Sequence, residues 1–441
     1  MRRMRLRLYH AKILTMEENR EIFEGEVWIE DSRILYVGTG EDKEEFFRKS
    51  GKVCMLWDEE IDCQGNLLMP GFKNAHTHSG MTFLRSFADD MPLDDWLHKQ
   101  IFPAEAKLTP KDITANTRLA VLEYLTSGIT AIFDMYVNPE AVGKGCEEMG
   151  MRCVLVSGLN DFVQTPEIME QQYLTLNRKD SLVSFMLGFH AEYTCSKELL
   201  GKVAELAGKY KAPVFTHLCE TKKEVAECVK RYGMTPPLFL DSLGIFDYGG
   251  GGYHGVYMSE KDMELWEKKK LHIVTNPASN LKLASGIAPI KEYERRGINV
   301  AIGTDGPASN NCLDMFREMF LVTGLSKVRE EDAAAVDAVQ VLKMATVGGA
   351  KAMGLTECDV LAAGKKADMI LLDLHMPSMQ PFNHIVKNIV YSGSKQNVKM
   401  TMIDGKILYR DGKFYTDFMP EEIYEEVNRI TKRIKSDLGK E

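Results

Sequence analysis

Polar and apolar residues alternate with a period of two near both ends of the chain. The first such segment runs through LRLYHAKILTM and EVWIEDSRILYVG, and a helical stripe follows only in EDKEEFFRKSGK. The second covers Ala367–Leu374 and Val398–Tyr409, the latter interrupted by an Asp-Gly pair typical of a hairpin turn. Because short β segments from opposite chain ends can pair, we predict a small β-sandwich built from residues 1–68 and 361–420. A charged helix is predicted over residues 421–441.

Between these ends, short apolar runs alternate with amphipathic helical stretches. The runs are Ala131–Met135, Cys153–Leu159, Val183–His190, Val214–His217, Gly255–Met258, His272–Thr275 and Val300–Gly303. The predicted helices include Asp112–Leu125, Glu198–Lys209, Glu260–Lys269 and Asp332–Ala345. Together with the apolar run that ends at His76–His78, these seven runs give eight strands. Eight strands that alternate with helices predict a (β/α)8 barrel over residues 69–360. An open doubly wound sheet is the alternative, although no GxGxxG opens its first helix.

The composition is that of an ordinary globular protein, with 44% hydrophobic and 27% charged residues. It excludes a disordered or fibrous chain. The formal charge is −9 and no long Lys/Arg run occurs, so we expect neither nucleic acid nor a membrane as partner. No segment approaches the roughly 20 apolar residues of a membrane span. The nine cysteines form no CxxC pair, which predicts reduced thiols in the cytoplasm.

A His-Thr-His triplet lies at the predicted end of the first barrel strand. His76 and His78 are two positions apart, so on a strand both imidazoles project to one face and can reach one metal ion. The carboxyl ends of barrel strands are also where active sites of this architecture lie. A single HxH occurs by chance as well, so the prediction needs support from other residues.

Further histidines and acidic residues follow later strands of the predicted barrel. They are His190, His217, Glu220, His254 and Asp305. The remaining histidines, which lack this placement and for which we predict no role in the site, are His10, His98, His272, His375 and His384. Three neutral imidazoles and one carboxylate suit a divalent ion such as Zn2+ or Fe2+ and leave a position for water. We therefore predict that one such ion is held by His76, His78, His217 and Asp305.

Four long motifs, in the order of the predicted strands, carry a family resemblance. They are PGFKNAHTHSGMTFLRSFADDMPLDDWL, THLCET, NPASNLKLASGIAPI and IGTDGPASNNCLDMFREM. They resemble the amidohydrolase superfamily, and within it the branch of methylthioadenosine/S-adenosylhomocysteine deaminases and triazine hydrolases. The resemblance covers nearly the whole chain, including GKKADMILLDL in the split sandwich. It implies metal-dependent hydrolysis in the barrel.

The resemblance also implies a role for each residue of the site. Asp305 would be both metal ligand and general base. Glu220 would contact the substrate and move a proton to the ring nitrogen beside the amino-bearing carbon, a general acid–base role. His254 would hydrogen-bond the attacking hydroxide. Relatives with two metals carry a carboxylated lysine at the end of the fourth strand, where this chain has His190, so one metal, most favourably Zn2+, is expected.

Substrate contacts are predicted more weakly. Trp96 and Glu105 match family positions that flank a nucleoside, with the tryptophan beside the base and the glutamate on the ribose hydroxyls, and His190 matches a substrate contact. Trp96 is also explained as a core residue of an amphipathic helix. Residues of the NPASN motif either shape the pocket or cap a turn, and these alternatives carry equal weight: Asn276, Ser279 and Asn280.

Three features depart from the relatives that this chain resembles. No arginine occurs between Cys153 and Asn177, where a relative can bind the carboxylate of S-adenosylhomocysteine. Tyr257 stands where many relatives have a second histidine. The glycine run Gly249–Gly252 has no explanation in the sequence pattern. Only the first departure bears on the substrate, because a missing bidentate donor weakens carboxylate recognition.

We expect hydrolytic deamination of an adenine nucleoside, with methylthioadenosine, 5′-deoxyadenosine, adenosine and S-adenosylhomocysteine as candidates. The alternative within the barrel family is hydrolysis of another N-heterocycle: guanine, a pterin or a triazine. The HxHxxQ sequence common in guanine deaminases is missing, since Met81 stands at its last position. A non-catalytic assembly protein is a third possibility, but such proteins lose metal ligands. A homo-oligomer is expected from the resemblance.

Overall fold

A computed structural model describes residues 3–40, 42–51 and 54–440 of the chain. The predicted sandwich and C-terminal helix extend to Met1 and Glu441, which lie outside the described residues. The described strands are β1 (Arg5–Ile13), β2 (Phe23–Glu30), β3 (Arg33–Gly38), β4 (Glu59–Asp62), β5 (Leu67–Pro70), β6 (Phe72–Thr77), β7 (Ile129–Tyr136), β8 (Arg152–Ser157), β9 (Val183–Ala191), β10 (Val214–Leu218), β11 (Gly250–His254), β12 (His272–Thr275), β13 (Asn299–Ile302), β14 (Met369–Leu372), β15 (Val398–Ile403), β16 (Lys406–Arg410) and β17 (Lys413–Phe414).

Strands β6 to β13 form the predicted barrel. They are parallel, and each pairs with its neighbour in chain order, which gives a nearly closed sheet of eight strands. Buried side chains fill the interior, among them Phe133, Phe215 and Tyr253. Strands buried on both faces are apolar throughout, which is why they stood out as apolar runs in the sequence. The barrel prediction is confirmed.

At least one helix separates each pair of consecutive barrel strands. The α-helices of the described residues, within the barrel and outside it, are in chain order α1 (Asp42–Ser50), α2 (Leu93–Trp96), α3 (Phe102–Glu105), α4 (Pro110–Thr126), α5 (Pro139–Met149), α6 (Pro166–Leu176), α7 (Lys197–Tyr210), α8 (Lys222–Tyr232), α9 (Pro236–Ser242), α10 (Glu260–Lys269), α11 (Pro277–Lys282), α12 (Ile290–Arg295), α13 (Met315–Glu330), α14 (Ala338–Lys343), α15 (Gly349–Ala352), α16 (Ile385–Tyr391) and α17 (Pro420–Asp437). The helix predicted over Asp332–Ala345 is wrong in its first half. Asp337 caps α14 by accepting a hydrogen bond from the backbone N–H of Val339, so α14 begins only at Ala338.

The sixth barrel strand lies earlier in the chain than predicted. The sequence indicated Gly255–Met258, but β11 occupies Gly250–His254, and residues 255–258 form the loop after it. The reason is steric. A Cβ atom on Gly250 would lie 1.9 Å from the carbonyl oxygen of Val214 on the neighbouring strand, and the φ angle of Gly250 is 118°. Only glycine fits there, and a strand without apolar side chains has no apolar run to recognise.

The remaining strands form one nine-stranded sheet drawn from both chain ends. Its order is β17-β16-β15-β14-β5-β1-β2-β3, with β4 beside β1. β5 joins the two ends, because it pairs with β1 in parallel and with β14 antiparallel. Buried residues such as Leu8, Val27 and Met402 form a separate core there. Strand β5 of this sheet ends at Pro70, and the first barrel strand begins at Phe72. The boundary between the two domains at residue 69 stays a prediction.

An ion pair and a helix connect these two parts. Arg152 on β8 donates two hydrogen bonds to Asp368 just before β14, from Nε at 2.6 Å and from a terminal guanidinium nitrogen at 2.9 Å. Helix α17 packs against α4 and buries a stripe with helical spacing: Ile423, Val427, Ile430 and Ile434. Within the described residues, no helix is long and apolar enough to cross a membrane.

Candidate metal centre and active site

Three histidines and an aspartate meet at the carboxyl ends of the barrel strands. His76 lies near the end of β6 with His78 just beyond it, His217 lies in β10, and Asp305 follows β13. One ligand atom from each residue lies within 4.8 Å of the others. Nε2 of His78 is 3.1 Å and Nε2 of His76 is 3.5 Å from Oδ1 of Asp305. The structure therefore brings the four predicted ligands into one cluster.

Hydrogen bonds to backbone carbonyls orient two of these imidazoles. Nδ1 of His78 lies 2.6 Å from the carbonyl oxygen of Met135, and Nδ1 of His217 lies 2.7 Å from that of His190. Since a carbonyl only accepts, each Nδ1 carries a proton, and Nε2 is the ring nitrogen that each imidazole turns towards the cluster. Both ring nitrogens of His76 are buried without a hydrogen bond to any described residue. A buried imidazole in this state fits a ring that binds an ion.

The electrostatics of the cluster also suit a cation. Burial lowers the pKa of His76 to about 3 and holds the pKa of His217 well below its usual value, so both rings are neutral. Burial acts in the same direction on His78, but the hydrogen bond and charge of Asp305 outweigh it and raise the pKa of His78 to about 9. A divalent ion would compete with that proton for the same lone pair. Three imidazole nitrogens and one carboxylate oxygen at this spacing fit a divalent metal.

Two serines donate hydrogen bonds to Oδ2 of Asp305, the carboxylate oxygen other than the Oδ1 atom that lies beside His76 and His78. Ser279 and Ser309 donate to Oδ2 at 2.6 Å and 2.8 Å, and the backbone N–H of Gly306 donates to Oδ1 at 2.8 Å. Burial would raise the pKa of Asp305, but the neighbouring His76 and His78 outweigh it and hold this pKa well below its usual value. The carboxylate is therefore ionised and fixed in orientation, as a ligand and base must be.

Glu220 and His254 face each other beside the cluster. Nε2 of His254 is 3.8 Å from Oε2 of Glu220, and Ser285 donates to Oε1 of Glu220 at 3.2 Å. Nδ1 of His254 lies 2.7 Å from Oδ1 of Asn280. Because Asn280 Oδ1 accepts, Nδ1 of His254 carries a proton, and its Nε2 is turned towards Glu220. His254 has a φ of 75°, a strained backbone of the kind that clusters at functional sites.

A cavity of about 500 Å³ opens beside the cluster and Glu220. The predicted substrate contacts Trp96, Glu105 and His190 all line it. Trp96 is also buried in the large hydrophobic cluster around the barrel, as the core interpretation predicted, and its contact with a nucleoside stays a prediction. Glu105 accepts a hydrogen bond from the hydroxyl of Tyr136 at 2.6 Å, and burial raises the pKa of Glu105. His98, for which the sequence predicted no role in the site, lines the same cavity, because a π-helical turn at Leu97–Ile101 brings it there.

Away from the cluster the cavity wall is largely apolar. Apolar and aromatic side chains near its mouth include Phe102, Val137, Phe162 and Val163. The ionisable carboxyls on the wall are Glu105, Glu220 and Asp305. Among the lining residues that the structure describes, none is a lysine or an arginine. The described lining therefore offers no lysine or arginine to an anionic group.

Sequence reasoning named only some of the residues that orient the site. Ser279 and Asn280 were weighed as pocket or turn residues, and they hold Asp305 and His254. Ser285 and Ser309 gave no signal, because a serine in a loop is common. Tyr257, the departure from the relatives, donates from its hydroxyl to the carbonyl of Ser285 at 2.6 Å and so supports the loop that contacts Glu220.

The fold and the site together define a metal-dependent hydrolase of the (β/α)8-barrel class. The sequence matches the amidohydrolase family over residues 67–408. It is 37% identical over 449 residues to a 5-methylthioadenosine/S-adenosylhomocysteine deaminase from Caldanaerobacter subterraneus subsp. tengcongensis, covering 99% of this chain and 100% of that one. A 5′-deoxyadenosine deaminase from Methanococcoides burtonii is 41% identical over 360 residues, covering 80% and 83%.

A solved structure agrees over nearly the whole chain. An adenosine deaminase from Xanthomonas campestris with bound zinc superimposes with a TM-score of 0.91 at 31% identity, covering 98% of each chain. The chain belongs to the amidohydrolase family, which confirms the resemblance seen in the motifs, and it is a hydrolase that acts on C–N bonds.

Proposed function

We propose that this protein deaminates an adenine nucleoside hydrolytically, giving the inosine derivative and ammonia, and that its preferred substrates carry a small apolar 5′ group. The observation that carries the proposal is the position of Glu220. Its buried carboxyl lies between the metal cluster, His254 and the cavity, where it can reach a ring nitrogen of a bound base. The two relatives named as deaminases of methylthioadenosine, S-adenosylhomocysteine and 5′-deoxyadenosine support the same substrate class.

Each residue of the cluster then has a task. His76, His78, His217 and Asp305 hold one divalent ion, for which Zn2+ suits the nitrogen-rich donor set. When bound, such an ion is a Lewis acid that makes hydroxide available near neutral pH. Asp305 accepts the proton that the attacking water loses. Nε2 of His254 hydrogen-bonds the same water and fixes its direction of approach.

Glu220 completes the proton transfers. Addition of hydroxide to the amino-bearing ring carbon costs aromaticity, and protonation of the adjacent ring nitrogen by Glu220 removes the negative charge that develops there. The tetrahedral intermediate then loses its amino group as ammonia when the carbon–nitrogen bond breaks. The amino group takes the proton held by Asp305, and the hydroxyl proton passes to Glu220 as the carbonyl forms, which restores both carboxyls to their starting states. Nucleobase deaminases of another fold use the same division between a metal and a glutamate that is not a ligand.

The cavity wall supplies substrate contacts. We propose that Trp96 packs against the base, that Glu105 accepts hydrogen bonds from the ribose hydroxyls, and that His190 contacts the substrate. The hydrogen bond from Tyr136 fixes the Glu105 carboxyl for this role. The apolar mouth then receives the 5′ group.

The assembly is proposed separately. Helix α13 exposes half of the Phe320 surface and 71% of Val328, about two turns further along the helix. Exposed apolar surface is one of the features of subunit interfaces. We propose that the protein forms a homo-oligomer and that it works in the cytoplasm. Its molecular mass in solution tests whether it is an oligomer.

An ammonia-release screen tests the proposed activity. The purified, metal-loaded protein is assayed with adenosine, 5′-deoxyadenosine, methylthioadenosine, S-adenosylhomocysteine, guanine and a triazine. The proposal requires ammonia from adenine nucleosides at a kcat/KM well above that for guanine and the triazine. Turnover of guanine or the triazine alone would assign a different substrate to the same barrel.

A further inference from the structure

A buried glutamate on α8 holds the turn that carries Glu220. Glu224 is the third residue of this helix, and its carboxylate accepts hydrogen bonds from the backbone N–H of Cys219 at 2.7 Å and of Glu220 at 2.8 Å. A longer contact of 3.5 Å reaches the N–H of Thr221. Three successive backbone donors thus point at one carboxylate, which is 4% exposed.

The chain contains two similar helix starts that do not behave in this way. Helices α4 and α10 also begin with a capping box, in which the third helical residue is Asp112 or Asp262. Each aspartate accepts the N–H of its own N-cap residue at 2.7 Å. At α8 the N-cap residue is Thr221, and its N–H lies 3.5 Å from the Glu224 carboxylate. The longer side chain of Glu224 makes its two short hydrogen bonds with the N–H groups of Glu220 and Cys219, one and two residues before the N-cap. Capping the helix therefore does not explain the geometry of Glu224.

The turn that Glu224 holds is strained and connects two parts of the active site. Cys219 has a φ of 52°, which non-glycine residues seldom adopt unless the surroundings fix it. Its carbonyl oxygen accepts the N–H groups of Val256 and Tyr257 at 3.0 Å and 2.9 Å. These residues lie in the loop directly after His254. A shift of the turn would therefore change the position of Glu220 relative to His254.

We propose that Glu224 is a positioning residue for the deamination reaction: it fixes the Cys219–Thr221 turn so that the Glu220 carboxyl points at the substrate ring. The inference rests on the proposed role of Glu220 as the proton donor. Glu224 touches neither substrate nor metal ligands, and it acts only through Glu220. Outer partners of catalytic groups typically contribute 10–100-fold, and we expect an effect in this range.

The decisive variant is Glu224→Asp. Because aspartate serves at the equivalent position of α4 and α10, this variant keeps the helix cap but withdraws the carboxylate from Cys219 and Glu220. We expect kcat to fall at least about tenfold, with KM and metal content within twofold of the wild type. Asp112→Asn is the matched control, since it damages the buried capping box of α4, whose hydrogen bonds go to Thr109 and Arg433 and not to the active-site turn or the loop after His254. It should lower the melting temperature and leave kcat unchanged.

A double-mutant cycle separates positioning from general structural damage. If Glu224 acts through Glu220, then Glu224→Asp should change the residual kcat of Glu220→Gln by less than about twofold. Multiplicative losses in the double variant would overturn the proposal. So would a kcat of Glu224→Asp within threefold of the wild type. If Glu224→Asp does not fold, the near-isosteric Glu224→Gln takes its place in the cycle, and the same two results would overturn the role of Glu224.

The same measurements distinguish this proposal from the proposed function. A wild-type protein that releases no ammonia from any adenine nucleoside would overturn both, as would a fully active Glu220→Gln. A nearly inactive Glu220→Gln beside a fully active Glu224→Asp would leave the proposed function standing and overturn only the role of Glu224.

Discussion

Nε2 of His254 lies 3.8 Å from Oε2 of Glu220, at the side of the metal cluster that faces the cavity. Each residue has a separate support: Asn280 holds the ring of His254, and Ser285 holds the carboxyl of Glu220. The two groups are therefore positioned independently of a substrate. In the proposed reaction, a base bound in the cavity beside them would meet Glu220 as the proton donor for its ring nitrogen and His254 as the residue that orients water.

Replacement of Glu220 by glutamine tests the proton donor. The amide keeps the size of the side chain but cannot deliver a proton, so kcat should fall by roughly 10²–10⁴-fold. Metal content should stay at the wild-type level because Glu220 is not in the ligand cluster. Steady-state kinetics and metal analysis on the same sample check this. A loss below about tenfold would assign Glu220 a structural role instead.

Replacement of His217 by alanine tests the ligand set. The variant should lose the metal and its activity, while the circular dichroism spectrum stays that of the wild type, because the barrel and sheet cores do not depend on the ion. Metal analysis after gel filtration is the measurement. Full metal occupancy in the variant would remove His217 from the ligand set.

The substrate preference follows from the cavity wall, where the described lining residues include no lysine or arginine. A carboxylate on the 5′ substituent would lose water without gaining a charge-assisted partner, which contributes about 1.5–3 kcal/mol where one is present. Methylthioadenosine and 5′-deoxyadenosine should therefore match or exceed S-adenosylhomocysteine in kcat/KM. A tenfold or larger preference for S-adenosylhomocysteine would show a cationic contact that the cavity lacks here.

A matched variant sharpens this prediction. Phe162 lines the cavity mouth and is 87% exposed, so an arginine at this position can reach a 5′ carboxylate without disturbing the core. Phe162→Arg should raise kcat/KM for S-adenosylhomocysteine relative to methylthioadenosine. Phe162→Gln, which removes the ring without adding charge, is the control and should not change the ratio.

Glu318 gives the stability of the fold a pH dependence. Its carboxyl is fully buried on α13 and accepts the N–H of Ala278 at 3.0 Å and the side-chain amide of Asn310 at 2.8 Å. Burial raises the pKa of Glu318 from 4.5 to about 8. Between these values the unfolded chain releases the proton and the folded chain keeps it, so the free energy of unfolding falls as pH rises, by ~1.4 kcal/mol per unit. Below pH 4.5 Glu318 is protonated in both the folded and the unfolded chain, so it no longer lowers the free energy of unfolding.

Glu318→Gln should remove this slope. Urea unfolding of the two proteins at several pH values between 5 and 8 is the measurement. The free energy of unfolding of the variant should increase relative to that of the wild type as the pH rises. Equal slopes in both proteins would contradict the raised pKa of Glu318. The comparison cancels the contributions of all other groups, which are common to the two chains.

The sequence predicted those parts of the molecule that a regular pattern or a rare residue marks. Barrel strands such as Ile129–Tyr136 are continuous apolar runs, and His76 and His78 owe their shared face to the two-residue period of a strand. The strand Gly250–His254 was misplaced because tight packing against Val214 selects glycine, which carries no apolar signal.

Other residues that support the site could not be predicted from the sequence, for a different reason. Ser309 and Glu224 contact the site through hydrogen bonds whose partners are fixed only by the folded loops. Serine and glutamate at the start of a helix are also ordinary capping residues, so the residue type does not distinguish the two uses. The geometry of the loops makes that distinction.

The most direct measurement is the fate of methylthioadenosine turned over by the zinc-loaded protein in water enriched in the heavy oxygen isotope. Mass spectrometry should find an intact nucleoside in which the amino group has been replaced by one solvent-derived oxygen, with one ammonia per molecule, and a chelator-stripped sample should give none. Release of free adenine, or a product without solvent oxygen on the base, would contradict hydrolytic deamination by this site.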